Sequence, residues 1–155
     1  MLAVLLGLML ATPACAEPAP PQERPRLVLT GVGRFAVLAD LSTISRDGDV
    51  TRMRSLQVTE EDFEAGGLRY WGGWSWWTFD CGARTADRLD FASVRTGGAE
   101  GPATPDAAPA YPAAPGGDAA ELLVVACDPA SAGEADADTL QDAVRVGRAA
   151  LRLAD

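Results

Sequence analysis

The chain contains no histidine, no lysine and no asparagine, so all thirteen of its positive charges are arginines. These absences exclude much chemistry. Serine–histidine and cysteine–histidine catalysis, histidine-ligated zinc, Schiff-base lysines and the phosphate-binding P-loop all need residues that the chain lacks. Against thirteen arginines stand 22 acidic residues, a net charge of −9. A nucleic-acid surface normally presents net basic character, so no nucleic-acid partner is expected, and the acidity is read as a source of solubility. Gly31-Val32-Gly33 lacks the third glycine and the following helix of a dinucleotide fingerprint. Asp87 and Asp90 show no spacing that marks a glycosidase pair. The chain is therefore read as a non-enzyme, with no catalytic residue, cofactor or metal site.

Long apolar runs are also scarce, and the one at residues 2–10 has the length of a signal-peptide core. It is too short to cross a bilayer, which takes roughly twenty apolar residues. Ala14-Cys15-Ala16 follows with the small-x-small pattern of a cleavage site, so residues 1–16 are expected to be removed before Glu17. No Lys or Arg precedes the run, a departure from the usual signal. Lipidation at Cys15 is the alternative, but it calls for a bulky aliphatic residue where Thr12 stands. The mature chain would be periplasmic, on the cell surface or secreted, with no transmembrane segment. Residues 17–25, rich in proline, read as an extended linker.

Cleavage would leave Cys81 and Cys127 as the only cysteines, and in an oxidising compartment such a pair is expected to form a disulfide. The alternative is two unrelated buried thiols. Closing a loop of about 45 residues would contribute about 4 kcal/mol in the chain-entropy account.

Residues 26–155 suffice for one domain. Residues 34–40 and 50–58 read as strands separated by the turn signal Arg46-Asp47-Gly48-Asp49. In the second, Val50, Leu56 and Val58 share one parity and Met53 the other, which predicts either a bulge or a strand covered on both sides. All four tryptophans fall within residues 70–81. Gly72-Gly73 predicts a bend, with the strand proper over 74–81. Counting by twos places Ser75, Trp77, Phe79 and Cys81 on one face and Trp74, Trp76, Thr78 and Asp80 on the other. Trp74 and Trp76 are thus the candidate partner-binding residues. Covered by a helix they form a second core layer, and exposed they form an aromatic platform.

Residues 85–95 read as a strand with Leu89 and Phe91 inward, residues 96–120 as a long mobile excursion, and residues 122–127 as a buried strand. From Leu140 to Leu151 apolar residues recur at three- and four-residue spacing, which predicts a C-terminal amphipathic helix capped by Asp138 or Thr139. Asp80 and Arg84 are expected to form an ion pair, and Arg52 with Arg54 a solvated pair balanced by Glu60, Glu61 or Asp62. That same-face arginine pair is also a potential seat for a carboxylate.

The string Asp40-Leu41-Ser42-Thr43-Ile44-Ser45-Arg46-Asp47-Gly48-Asp49-Val50, followed by Phe79-Asp80-Cys81-Gly82-Ala83-Arg84, Arg88, Phe91 and Cys127, resembles the surface-adhesin protein E-like domain of bacterial exported proteins. Met53 departs from the family's usual tryptophan. The resemblance implies an antiparallel sheet with the two cysteines bridged, and it implies binding to extracellular proteins. The expected fold is α+β, mainly an antiparallel sheet with a C-terminal helix and one disulfide. The expected function is a non-catalytic binding module, adhesin-like, of the cell envelope. A structural or accessory envelope protein without a dedicated ligand is the alternative.

Overall fold

A computed structural model describes residues 24–154 of the chain. The expected signal segment and most of the proline-rich linker lie outside the described residues. Eight strands, β1 (Leu27–Val32), β2 (Ala36–Asp47), β3 (Val50–Ala65), β4 (Leu68–Asp80), β5 (Thr85–Arg88), β6 (Asp90–Arg95), β7 (Thr104–Pro105) and β8 (Tyr111–Pro112), precede two helices, α1 (Asp118–Cys127) and α2 (Leu140–Ala154). Every strand pairing is antiparallel, in the order β1-β2-β3-β4-β5-β8. β6 pairs with β4 beside β5 and carries β7 on its other side. Among the described residues no helix is long and apolar enough to cross a membrane.

The sheet is built around the hairpin of β3 and β4. Its turn is Gly66-Gly67, both at positive φ, which a two-residue hairpin turn requires and which costs glycine little. Against β4, β3 keeps strict alternation from Val50 to Val58, with a register break beyond it, between Val58 and Phe63, while the extra residues at the irregularity in its pairing with β2, between Asp40 and Ser45, belong to β2. Of the two readings of its parity, the strand covered on both sides is the observed one. On the first face Met53 joins Val37, Ala39, Trp77 and Phe79 under α1, whose Leu122, Leu123, Val125 and Ala126 are buried. On the second, Leu56 and Val58 join Ala36, Leu38 and Trp74 under α2, through Ala143, Val144 and Leu151. Gly147 lets α2 approach closely, for a methyl there would lie 3.1 Å from the Cβ atoms of Ala36 and Val58.

The predicted fold class holds, including the bridge between Cys81 and Cys127. It joins the turn after β4 to the last residue of α1. Four local expectations need correction. Residues 122–127 are helical, because a six-residue apolar run suits a buried helix as well as a buried strand, and Ala119, Ala120 and Glu121 extend it backwards into α1. Gly72-Gly73 does not bend the chain out of the sheet, and β4 runs through both. The 85–95 strand is split at Leu89, whose N–H donates to the Trp76 carbonyl. That kink leaves Phe91 37% exposed and turns Ala92 and Val94 inward instead. Part of the 96–120 excursion is laid against the sheet, as β7 on β6 and β8 on β5. Asp118 to Ala120 already belong to α1.

α2 starts at a capping arrangement in which the Asp142 N–H donates to the Thr139 hydroxyl at 3.1 Å and that hydroxyl donates to the Asp142 carboxylate at 2.8 Å. Arg148 then ties the helix to the irregular part of β3. Its Nε donates to the Thr59 carbonyl at 3.1 Å, and its Nη2 to the Asp62 carboxylate at 2.6 Å. Asp62 also receives the Thr96 hydroxyl and pairs with Arg69 at 2.8 Å. The hydrogen bond from Arg148 outweighs burial and, with Thr96 and the two arginine charges, holds the Asp62 carboxyl below its ordinary range. A carboxylate whose folded pKa is depressed adds stability that is fully present above its unfolded pKa, about 4, and is lost as pH falls through the lower folded value. Urea midpoints should therefore drop on acidification below about pH 4. In Asp62→Asn the midpoint at neutral pH should be lower and the acid-dependent drop smaller, and an unchanged acid slope would remove Asp62 from this role.

Candidate functional site: an arginine–tryptophan stack on the sheet

The four tryptophans of β4 occupy different environments. Trp77 is 5% exposed in the core under α1, and its indole N–H donates to the Ser55 hydroxyl at 2.9 Å. Trp74 is 7% exposed and belongs to the core under α2. Trp71 packs at the margin of that same core. Trp76 remains partly exposed. Of the two candidate residues, Trp74 is thus covered, and only Trp76 presents its ring to solvent.

Alternation and register assemble the rest of the site. Arg54 is the direct cross-strand partner of Trp76, and Arg52 that of Thr78, so both arginines rise on the same face as Trp74 and Trp76. The Arg54 guanidinium carbon lies 4.5 Å from the centroid of Trp74 and 5.9 Å from that of Trp76. Arg52 lies 4.1 Å over Trp76. The sequence along the face is Trp74, Arg54, Trp76, Arg52, each cation resting on a ring whose negative face attracts it. Arg54 is further held by Glu100, which approaches from the loop beyond β6. Arg52 is exposed and makes no salt bridge among the described residues.

Backbone contacts fix Trp76 in this position. Its N–H donates to the Asp90 carboxylate at 2.8 Å, and its carbonyl accepts from Leu89. Asp90 is thereby committed to the backbone of β4. The expected ion pair of Asp80 with Arg84 is not formed. Asp80 accepts the Ala83 N–H at 2.7 Å instead and closes the turn in which Arg84 takes a positive φ of 56°. The expected balance of Arg52 and Arg54 by Glu60, Glu61 or Asp62 is also absent, because the register break places that acidic stretch beside α2, where Asp62 meets Arg148 and Arg69.

A guanidinium over an indole still has N–H groups that can meet a carboxylate in bidentate fashion. Arg52 over Trp76 therefore offers one unpaired cationic fork and an adjoining aromatic surface. The role of Glu100 and the stacking of arginine on tryptophan were not read from the sequence. The shared parity of 52 and 54 with 74 and 76 was a visible signal, but the register joining the two strands was not.

The described residues thus form a two-helix, disulfide-bridged antiparallel sheet with an aromatic–cationic strip on one face. No protein-family model matches it, and no curated protein does. Among solved structures it is similar to protein E from non-typeable Haemophilus influenzae, at 9% identity and a TM-score of 0.48, over 96% of this chain and 97% of that one.

The different burial of the two indoles has a measurable consequence. Trp74→Ala should lower unfolding free energy by about 3–5 kcal/mol, as truncation of a core aromatic does. Trp76→Ala, losing mainly one exposed cation–π contact, should cost less than about 2 kcal/mol. Urea titrations of both variants check this, and equal losses would contradict the assignment of Trp74 to the core.

Proposed function

We propose that the chain is an exported, non-catalytic binding module of the bacterial cell envelope that holds a protein partner through Arg52 and Trp76. The observation that carries this reading is the Arg52–Trp76 stack, a pre-oriented cation that makes no salt bridge among the described residues, on an uncovered part of the sheet. Exposed aromatics and arginines are the residue types that dominate binding energy in protein interfaces. Export is supported by the apolar run of residues 2–10 with its small-residue cleavage pattern, and by the disulfide, which belongs to oxidising compartments. Relationship to the surface-adhesin protein E-like group is part of the same proposal.

A structural or accessory role is favoured by a different observation. Half of the stack is internally committed, Trp74 to the core and Arg54 to Glu100, as a brace would be. Capture of immobilised envelope and extracellular-matrix proteins by the purified chain separates the readings. A binding module should lose specific capture at least tenfold in Arg52→Gln combined with Trp76→Ala, with circular dichroism unchanged. Capture indifferent to that double substitution would refute the contact surface.

A further inference from the structure

On the first face of the sheet, α1 covers only one end, and beyond it the face continues as a trough. Phe35, Gln57, Gly73, Phe63 and Phe91 line a cavity of about 440 Å³ with Arg34 at its rim. Gln57 also lines the adjoining cavity of about 360 Å³, which reaches Val37, Trp77 and Leu122 below α1. Each volume lies within the usual range of small-molecule sites.

Gly72 and Gly73 line the outer cavity, with the Phe91 ring lying against Gly73. A side chain at Gly73 would meet the Phe91 ring at 2.2 Å, and one at Gly72, where φ is 149°, would lie 1.8 Å from the Gln57 carbonyl oxygen. The two glycines thus admit the Phe91 ring and the backbone of β3 close against β4. The walls are aromatic and half in water: Phe63 is 43% exposed and Phe91 37%. Phe63 is held in place by stacking on Tyr70, with centroids 5.2 Å apart.

Charge gives the trough a direction. Arg34 lies 5.4 Å over the Phe35 ring and makes no salt bridge among the described residues. At the other end Arg88 is neutralised by Asp106 at 2.8 Å. Between them the lining becomes more deeply buried towards α1, with Val37 1% and Leu122 0% exposed. A cationic mouth, aromatic walls and an apolar inner end match a ligand with one negative head and one apolar tail.

We propose that this trough binds a single-chain anionic amphiphile of the fatty-acid class, its carboxylate on Arg34 and its acyl chain between Phe63 and Phe91, directed towards Trp77. The site is separate from the Arg52–Trp76 strip, which lies on the opposite face of the sheet.

Calorimetric titration of the purified chain with dodecanoate, below its micelle concentration, tests the proposal. One saturable site is expected. Affinity should fall roughly tenfold in Arg34→Gln and for the uncharged dodecanol, the equivalent of one charged hydrogen-bonded contact. It should also fall in Phe63→Ala, and stay unchanged in Arg88→Gln. Absence of saturable binding to the folded wild-type chain would overturn the site. Equal affinity for dodecanoate and dodecanol, or for wild type and Arg34→Gln, would overturn the head-group assignment, as would a loss confined to Arg88→Gln.

Discussion

The pairing of β3 with β4 is the constraint on which the remaining structure depends. Their ladder from Val50 to Val58 sets the parity of both strands together, so that Met53 and Trp77 serve one core while Leu56 and Trp74 serve the other. Each large side chain buried in this way contributes about 1.5–3 kcal/mol. Neither helix has an independent place to pack. α1 needs the Trp77–Phe79 face, and α2 needs the Ala36–Leu56–Val58 face. The disulfide then ties the end of α1 to the turn that follows β4, and Arg46 donates to the carbonyl of Cys127 at the same junction.

The same ladder distributes the charged groups. Up to Val58 it brings Arg52 and Arg54 beside Trp74 and Trp76, and beyond the register break it delivers Asp62 to Arg148 of α2. One stretch of β3 thus carries a cation–π stack and, a few residues later, the ionic tie of a helix. Polar residues on a sheet with two covered faces must either be paired or lie past the edge of a helix. Arg54 and Asp62 follow the first course and Arg52 the second. That difference singles out Arg52, with the ring beneath it, as the part of the stack free to meet another molecule.

Much of this was legible in residue order. Alternation in 74–80 separates Trp77 and Phe79 from Trp74 and Trp76, the spacing from Leu140 to Leu151 marks α2, and Cys81 with Cys127 marks the bridge. The misreadings have a common origin. The run Leu122-Leu123-Val124-Val125-Ala126-Cys127 has no period within itself, so helix and strand fit equally until its alanine-rich approach is counted. Leu89 and Phe91 look inward by alternation, but the hydrogen bonds of Leu89 and Asp90 to Trp76 reset the parity at the kink between β5 and β6. Likewise the break between Val58 and Phe63 decides which acids meet which arginines, and a bulge of this kind depends on tertiary partners such as Arg148 rather than on local propensity.

Native-state amide hydrogen exchange tests the central place of the β3–β4 ladder most directly. If the two cores depend on it, the backbone amides of residues 53–56 and 74–77 should be among the last to exchange, with free energies equal to that of global unfolding. Amides of α2 and β1 should exchange no later than these. Exchange of the β3–β4 amides through a local opening, while α1 or α2 stays protected, would contradict the account.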